Sequence, residues 1–195
     1  MEIKRANFIC SSSKVEQCPK ENVHDIALIG RSNVGKSSLT NMLCGQKMLA
    51  KVSATPGKTR LINHFLINDD WYLVDLPGYG YAKTSKNNRK EFAKIITDYI
   101  ESAPNLHYLF LLIDVRHAPM KIDLEFMAYL ATHEVPFGII FTKADKLSKT
   151  KLEASVNFYK AELLKEWEEL PEMFITSSES RLGKEEVLDF IGNIL

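Results

Sequence analysis

The chain has 195 residues, enough for one domain with a substantial core. Hydrophobic residues make up 45% and charged residues 26%, and 25 Lys and Arg balance 25 Asp and Glu; bulk charge therefore points to no polyanionic partner, and any nucleic-acid surface has to be local. Three cysteines without paired metal spacing (Cys10, Cys18, Cys44), no signal-peptide pattern and no run near the roughly 20 apolar residues of a membrane span argue against a disulfide scaffold and a spanning helix, and fit a reduced, cytoplasmic protein.

Residues 1–22 form an extension in which Ala6 to Cys10 is a candidate edge strand; Ser11 to Pro19 then have loop composition. Ile26-Ala27-Leu28-Ile29 is a strand-like apolar run, and Leu39, Met42 and Leu43 have the spacing of a helix's inner face. Between them lies Gly30-Arg31-Ser32-Asn33-Val34-Gly35-Lys36-Ser37-Ser38, which fits the G-x-x-x-x-G-K-[ST] pattern of a phosphate-binding loop. Glycines let backbone N–H groups turn toward an anion, and the helix N-terminus adds positive potential. Lys36 is then placed for β- and γ-phosphate oxygens and the Ser37 hydroxyl for Mg²⁺.

Lys51 to Arg60 has no period, and its Thr55-Pro56-Gly57-Lys58-Thr59 is loop. Leu61 to Ile67 and Trp71 to Asp75 flank Asn68-Asp69-Asp70, which predicts a β-hairpin. Asp75-Leu76-Pro77-Gly78 ends it in a D-x-x-G pattern, and basic residues follow at Lys83, Lys86, Arg89, Lys90 and Lys94. A helix from near Asn88 turns Phe92, Ile95, Ile96 and Tyr99 inward. Leu106 to Ile113, ending at Asp114, and Val135 to Phe141, ending at Thr142-Lys143-Ala144-Asp145, have the composition of strands buried on both faces. Helical spacing covers Leu124 to Leu130, Leu152 to Leu164 and Val187 to Ile191; Met173 to Ile175 is a short strand before Thr176-Ser177-Ser178.

This alternation predicts an α/β fold: a mostly parallel six-stranded sheet with one antiparallel strand and helices on both faces, as one domain over 1–195. Ligands bind outside the carboxyl ends of such strands, so Asp75, Thr142 to Asp145 and Thr176 to Ser178 converge on the phosphate loop. Asp75 suits Mg²⁺ through water, and the Gly78 N–H suits a γ-phosphate. Thr142-Lys143-Ala144-Asp145 matches [NT]-K-x-D. The Asp145 carboxylate can accept from guanine N1–H and its exocyclic amine, the Lys143 stem can pack on the base, and a Thr176 to Ser178 amide can meet the guanine oxygen. Adenine would leave the carboxylate unpaired, a cost of about 1–3 kcal/mol or more. Spacing alone leaves Thr59 and Thr55 as rival switch threonines. His24, His64, His107, His117 and His133 are scattered and suit structural roles better than metal ligation; Trp71 and Trp167 suit packing.

These four stretches, Gly30 to Ser38, Thr55 to Arg60, Asp75 to Lys83 and Thr142 to Asp145, resemble the EngB GTPases of the TrmE-Era-EngA-EngB-Septin-like superfamily, over nearly the whole chain. The resemblance implies a Ras-like G domain of P-loop NTPase type that binds GTP and GDP with Mg²⁺, hydrolyses GTP slowly, acts in assembly of the large ribosomal subunit (rRNA and ribosomal proteins) and is linked to cell division and septation, as a monomer in the cytoplasm. It implies nucleotide contacts from Gly30 to Ser38, from Gly57, Lys58, Thr59, Arg60 and Leu61, from Asp75, Leu76, Pro77 and Gly78, and from Thr142 to Asp145 and Thr176 to Ser178. It favours Thr59 over Thr55 as the switch threonine, gives Lys36, Thr59 and Gly78 catalytic roles, and assigns Mg²⁺ to Ser37, Thr59 and, in its outer shell, Asp75.

Two features bear on mechanism. Tyr79 follows Gly78 where a nearby glutamine would orient the attacking water, so intrinsic turnover is expected to be slow. Asn33 matches the asparagine that binds K⁺ in some relatives, although a loop asparagine is an equal reading. The basic run from Lys83 to Lys94 is either a solvated face or a surface for ribosomal RNA phosphates. Two rivals of other classes are a small-acceptor kinase, which needs an arginine-rich lid absent here, and a GTP-gated binding module with negligible hydrolysis.

Overall fold

A computed structural model describes residues 1–20, 22–50, 61–80 and 86–195, apart from the side chains of residues 86–89, 91 and 92. Among the described residues, seven strands form one sheet in the order β1-β3-β4-β2-β5-β6-β7: β1 Ala6–Ser12, β2 Asp25–Gly30, β3 Ile62–Ile67, β4 Trp71–Asp75, β5 Leu106–Asp114, β6 Phe137–Thr142 and β7 Met173–Ile175. β3 alone runs against the rest, antiparallel to both β1 and β4. The expected six strands become seven because the N-terminal extension supplies a full edge strand reaching Ser12 rather than Cys10. Within Ser11 to Pro19 the structure also places a 3-10 turn, Val15–Gln17.

The helices are α1 Lys36–Leu43, α2 Lys86–Ser102, α3 Lys121–Thr132, α4 Lys149–Leu163 and α5 Lys184–Ile194. Alternation along the buried strands sorts their side chains between two cores. Ile26 and Leu28 of β2, with Phe110 and Leu112 of β5, pack in one cluster with Leu39 and Leu43 of α1 and Val187 and Ile191 of α5. Ala27 and Ile29, with Leu109, Leu111 and Ile113, pack in the other with Tyr99 of α2, Met127 of α3 and Tyr159 of α4. A continuous apolar run is what such a strand requires, since both faces are covered.

Local chemistry fixes the edges. Asn68 and Asp69 both take left-handed φ (51° and 58°), and the Asp70 N–H closes the hairpin on Ile67 O at 2.9 Å. Asn68 also holds the N-terminus: its Oδ1 accepts from Lys4 and Arg5 N–H at 2.8 and 3.1 Å, and its amide donates to Glu2 O at 2.8 Å. Register shifts between Phe8 and Cys10, a bulge that breaks β1's alternation and blunts the open edge. β6 begins at Phe137 rather than Val135: Glu134 turns at φ 54° and the Val135 N–H closes back on Leu130 O.

Candidate functional site

The carboxyl ends of β2, β4, β5 and β6 deliver Gly30, Asp75, Asp114 and Thr142 to one edge. Gly30 packs so closely that a Cβ there would meet Leu112 O at 2.8 Å and Val34 Cγ1 at 2.9 Å. Gly35 caps α1 at φ 108°, a backbone that side chains rarely adopt. Beyond it, the first N–H groups of α1 have no partner within the helix. Lys36 and Ser37 stand in that first turn. The Lys36 Nζ lies 2.6 Å from Asp75 Oδ1; their side chains are 11% and 4% exposed. This is a nearly buried ion pair. Main-chain bonds fix the segment after β4 to β2: Leu76 N–H donates to Leu28 O and Tyr79 N–H to Gly30 O. Leu76, Pro77 and Gly78 are buried.

The Thr142 to Asp145 stretch abuts the loop. Thr142 Oγ1, buried, donates to Val34 O at 2.6 Å. Lys143, at φ 62°, donates from Nζ to Asn33 O at 2.7 Å. Ala144 N–H donates to Thr176 O, so β6 and the turn after β7 share one frame. Asp145 Oδ1 accepts from Ser177 Oγ at 2.7 Å and Oδ2 faces Lys146 Nζ at 3.0 Å. The Ser177 hydroxyl, then Lys146, hold its pKa below the ordinary carboxylate value. Ser177 Oγ in turn accepts from Ser180 N–H, while Ser177 N–H donates to Leu182 O and closes the turn.

Asp114 and Arg116 complete the site, although neither falls in a motif. Asp114 accepts from Arg116 Nε at 2.9 Å, Nη2 at 2.7 Å and its N–H at 3.1 Å, and its Oδ2 lies 3.1 Å from Lys143 Nζ. Burial pushes its pKa up, but Arg116 and Lys143 outweigh that and hold it well below the usual range. A chain of polar contacts therefore runs from Arg116 through Asp114 and Lys143 to the phosphate loop. A pocket of about 240 Å³ opens here, lined by Arg31 to Val34, Asp114, Arg116 and Lys143 among others. The available sequence signal was slight: a carboxylate ending an apolar strand, with an arginine two residues later.

The structure thus brings Gly30 to Ser38, Asp75 to Gly78, Thr142 to Asp145 and Thr176 to Ser178 to one edge. Leu61 is an exposed bend before β3 rather than its first strand residue. Thr55, Gly57, Lys58, Thr59, Arg60 and Lys83 lie outside the described residues, as do the side chains of Lys86 and Arg89. α2 begins at Lys86, two residues earlier than expected, and Lys90 and Lys94 are exposed on it; Lys94 pairs with Asp98 at 2.6 Å. No helix among the described residues is long and apolar enough to cross a membrane.

Residues 25–143 match a family described as 50S ribosome-binding GTPase. The probable GTP-binding protein EngB of Christiangramia forsetii is 56% identical over 194 residues, covering 100% of this chain and 98% of that protein. The protein of the same description from Porphyromonas gingivalis is 57% identical over 194 residues, covering 100% and 96%. A crystal structure of a probable GTP-binding protein engB matches 87% of this chain and 97% of that one, with a TM-score of 0.69 at 24% identity. Era, in complex with MgGDPNP and a 16S ribosomal RNA fragment, matches 87% of this chain and 56% of its own, with a TM-score of 0.68 at 23% identity. At these identities the two structures attest the fold.

Proposed function

The chain belongs to the EngB family of GTP-binding proteins, a family of GTPases, and we propose that it acts as one G domain whose GTP-bound form docks on the large ribosomal subunit during its assembly. The observation that supports the nucleotide-binding part of this reading is the joint between two strand ends. Thr142 Oγ1 on Val34 O and Lys143 Nζ on Asn33 O tie the base-selecting stretch to the phosphate loop, so one ligand with a guanine and a polyphosphate spans both. Asp145, ionised and steadied by Ser177, accepts from guanine; Lys36 and the first amides of α1 hold the β- and γ-phosphates.

The donor set fits Mg²⁺: Asp75 offers a buried carboxylate whose one cationic neighbour among the described residues is Lys36, and Ser37 carries a hydroxyl in the first turn of α1. Ser37 and Thr59, with Asp75 through water, would hold the ion, which when bound neutralises charge on the phosphate oxygens. The exposed Asn33 lies at the lip of the loop, where K⁺ could join it; its left-handed φ of 62° is itself a reason for asparagine. Equal turnover in KCl and NaCl would remove the potassium role.

No glutamine follows Gly78, and the Tyr79 hydroxyl is bonded to Asp123 rather than free to orient water. Intrinsic hydrolysis is therefore slow, and Lys36, Thr59 and Gly78 act by stabilising and sensing the γ-phosphate. The same bond supports a second reading, a latch with negligible hydrolysis. Single-turnover hydrolysis with and without ribosomal particles separates the two. The basic run Lys83, Lys86, Arg89, Lys90 and Lys94 supplies RNA phosphate contacts, the protein works as a cytoplasmic monomer, and loss of the activity impairs cell division. Sedimentation with ribosomal subunits tests the whole reading: the chain pellets with the large subunit under a GTP analogue and stays in the supernatant with GDP or without nucleotide. Pelleting that ignores the nucleotide refutes it.

A further inference from the structure

The tyrosine after Gly78 has a definite address. Its hydroxyl donates to Asp123 Oδ1 at 2.7 Å, and its ring stacks on Phe126 with centroids 5.0 Å apart and planes 27° apart. Both partners lie on α3. Its main-chain N–H meanwhile donates to Gly30 O at 3.2 Å, so one residue joins the phosphate loop to α3. Asp123 is 3% exposed, and burial raises its pKa against the pull of the Tyr79 hydroxyl and the Arg31 charge. Arg31, second in the phosphate loop, turns toward the same place. Its Nη1 touches Met120 Sδ, and its Nε is buried without a hydrogen-bond partner among the described residues. From α4 comes Tyr159, 1% exposed, whose hydroxyl has no hydrogen-bond partner among the described residues. Burial, and then the Asp123 charge, push the Tyr159 pKa up.

A buried carboxylate is costly unless hydrogen-bonded, so the Tyr79 bond is strongly favoured while it lasts. The Arg31 guanidinium adds a favourable charge to the same buried carboxylate. Gly78 sits between two fixed points. On one side Asp75 is held by the sheet; on the other Tyr79 is held by α3 and Gly30.

We propose that Tyr79 is a positioning residue: its hydroxyl on Asp123 anchors the far end of the Gly78 segment and thereby sets where the Gly78 N–H meets a γ-phosphate. The inference rests on the reading of this chain as a GTP switch. GDP carries no γ-phosphate for Gly78 to meet, so loosening the dock weakens only the triphosphate. A merely structural role would affect both nucleotides alike.

The test titrates fluorescent GDP and a fluorescent non-hydrolysable GTP analogue against wild type, Y79F, D123N, D123L and the Y79F/D123L double variant, with thermal melting to confirm folding. Y79F keeps its ring on Phe126 but takes a donor from buried Asp123, so its melting temperature falls by a few degrees and binding is read well below that temperature. Its affinity for the analogue falls about 5- to 10-fold while that for GDP stays within about twofold. D123N still offers an amide oxygen to the phenol and stays near wild type. D123L matches Y79F, and the double variant is no worse than either. Equal losses for both nucleotides, no loss for either, or additive losses in the double variant overturn the dock while leaving the GTP-switch reading in place. A wild-type chain that fails to bind GDP removes that reading and the dock with it.

Discussion

The bond between Thr142 and the phosphate loop allows a test that changes one group. Thr142→Val keeps the shape of the side chain and replaces a buried hydroxyl by a methyl. It removes the 2.6 Å bond to Val34 O and the longer 3.3 Å approach to Ile113 O. Thr142 is 4% exposed, so water does not readily take the hydroxyl's place. A buried acceptor that loses its donor costs about 1–3 kcal/mol. Taking about 2 kcal/mol, and about 2–4 °C per kcal/mol for a chain of this size, the melting temperature falls by about 4–8 °C. If about 1.4 kcal/mol of that reaches the placement of the loop, nucleotide affinity falls about tenfold. The loss is equal for GDP and a GTP analogue, because the bond lies beneath a loop that both would occupy. Thr142→Ser keeps the hydroxyl and loses only a methyl, worth about 1 kcal/mol. Calorimetric melting and nucleotide titration measure all three proteins. A valine variant with unchanged melting and unchanged affinity refutes the claim that this bond joins base selection to phosphate binding.

Gly30→Ala has no room for its methyl between Leu112 O and Val34 Cγ1, so it displaces the loop; titration should show nucleotide affinity at least about tenfold weaker. Asp114 carries a depressed pKa, so its contribution to stability is present above the unfolded carboxylate value of about 4 and is lost as pH falls through and below it. Melting from pH 3 to 7 should show Asp114→Asn less stable than wild type near neutrality, with the gap closing below about pH 4; a gap independent of pH contradicts this. Reversing charge at Lys86, Arg89 and Lys90 should weaken binding to the large subunit and flatten its salt dependence, by about one unit of slope for each RNA phosphate that is no longer neutralised. Unchanged slope assigns those residues to a solvated face.

The parts of the molecule legible in the sequence were those whose physics is local or periodic. Ile26 to Ile29 and Leu106 to Ile113 show as apolar runs because both faces of those strands are covered. The phosphate loop shows because one contiguous stretch supplies both its glycines and its lysine. Asp114 and Arg116 were not legible as site residues, since their role depends on Lys143 arriving from the neighbouring strand. The grip of Asn68 on Glu2, Lys4 and Arg5 spans more than 60 positions and leaves no pattern. The sequence showed that Tyr79 is not a glutamine; where its hydroxyl points is settled only by α3.

Guanine selection by Asp145, with the phosphates at Lys36, is the claim on which the account stands, and competition between nucleotides tests it most directly. A labelled guanine nucleotide is bound and then displaced by unlabelled GDP, GTP, ADP or ATP. Two charge-assisted bonds at about 1.5–3 kcal/mol each predict that the guanine nucleotides displace the label at least about 100-fold more effectively. Adenine and guanine nucleotides displacing it at equal concentrations would contradict the account.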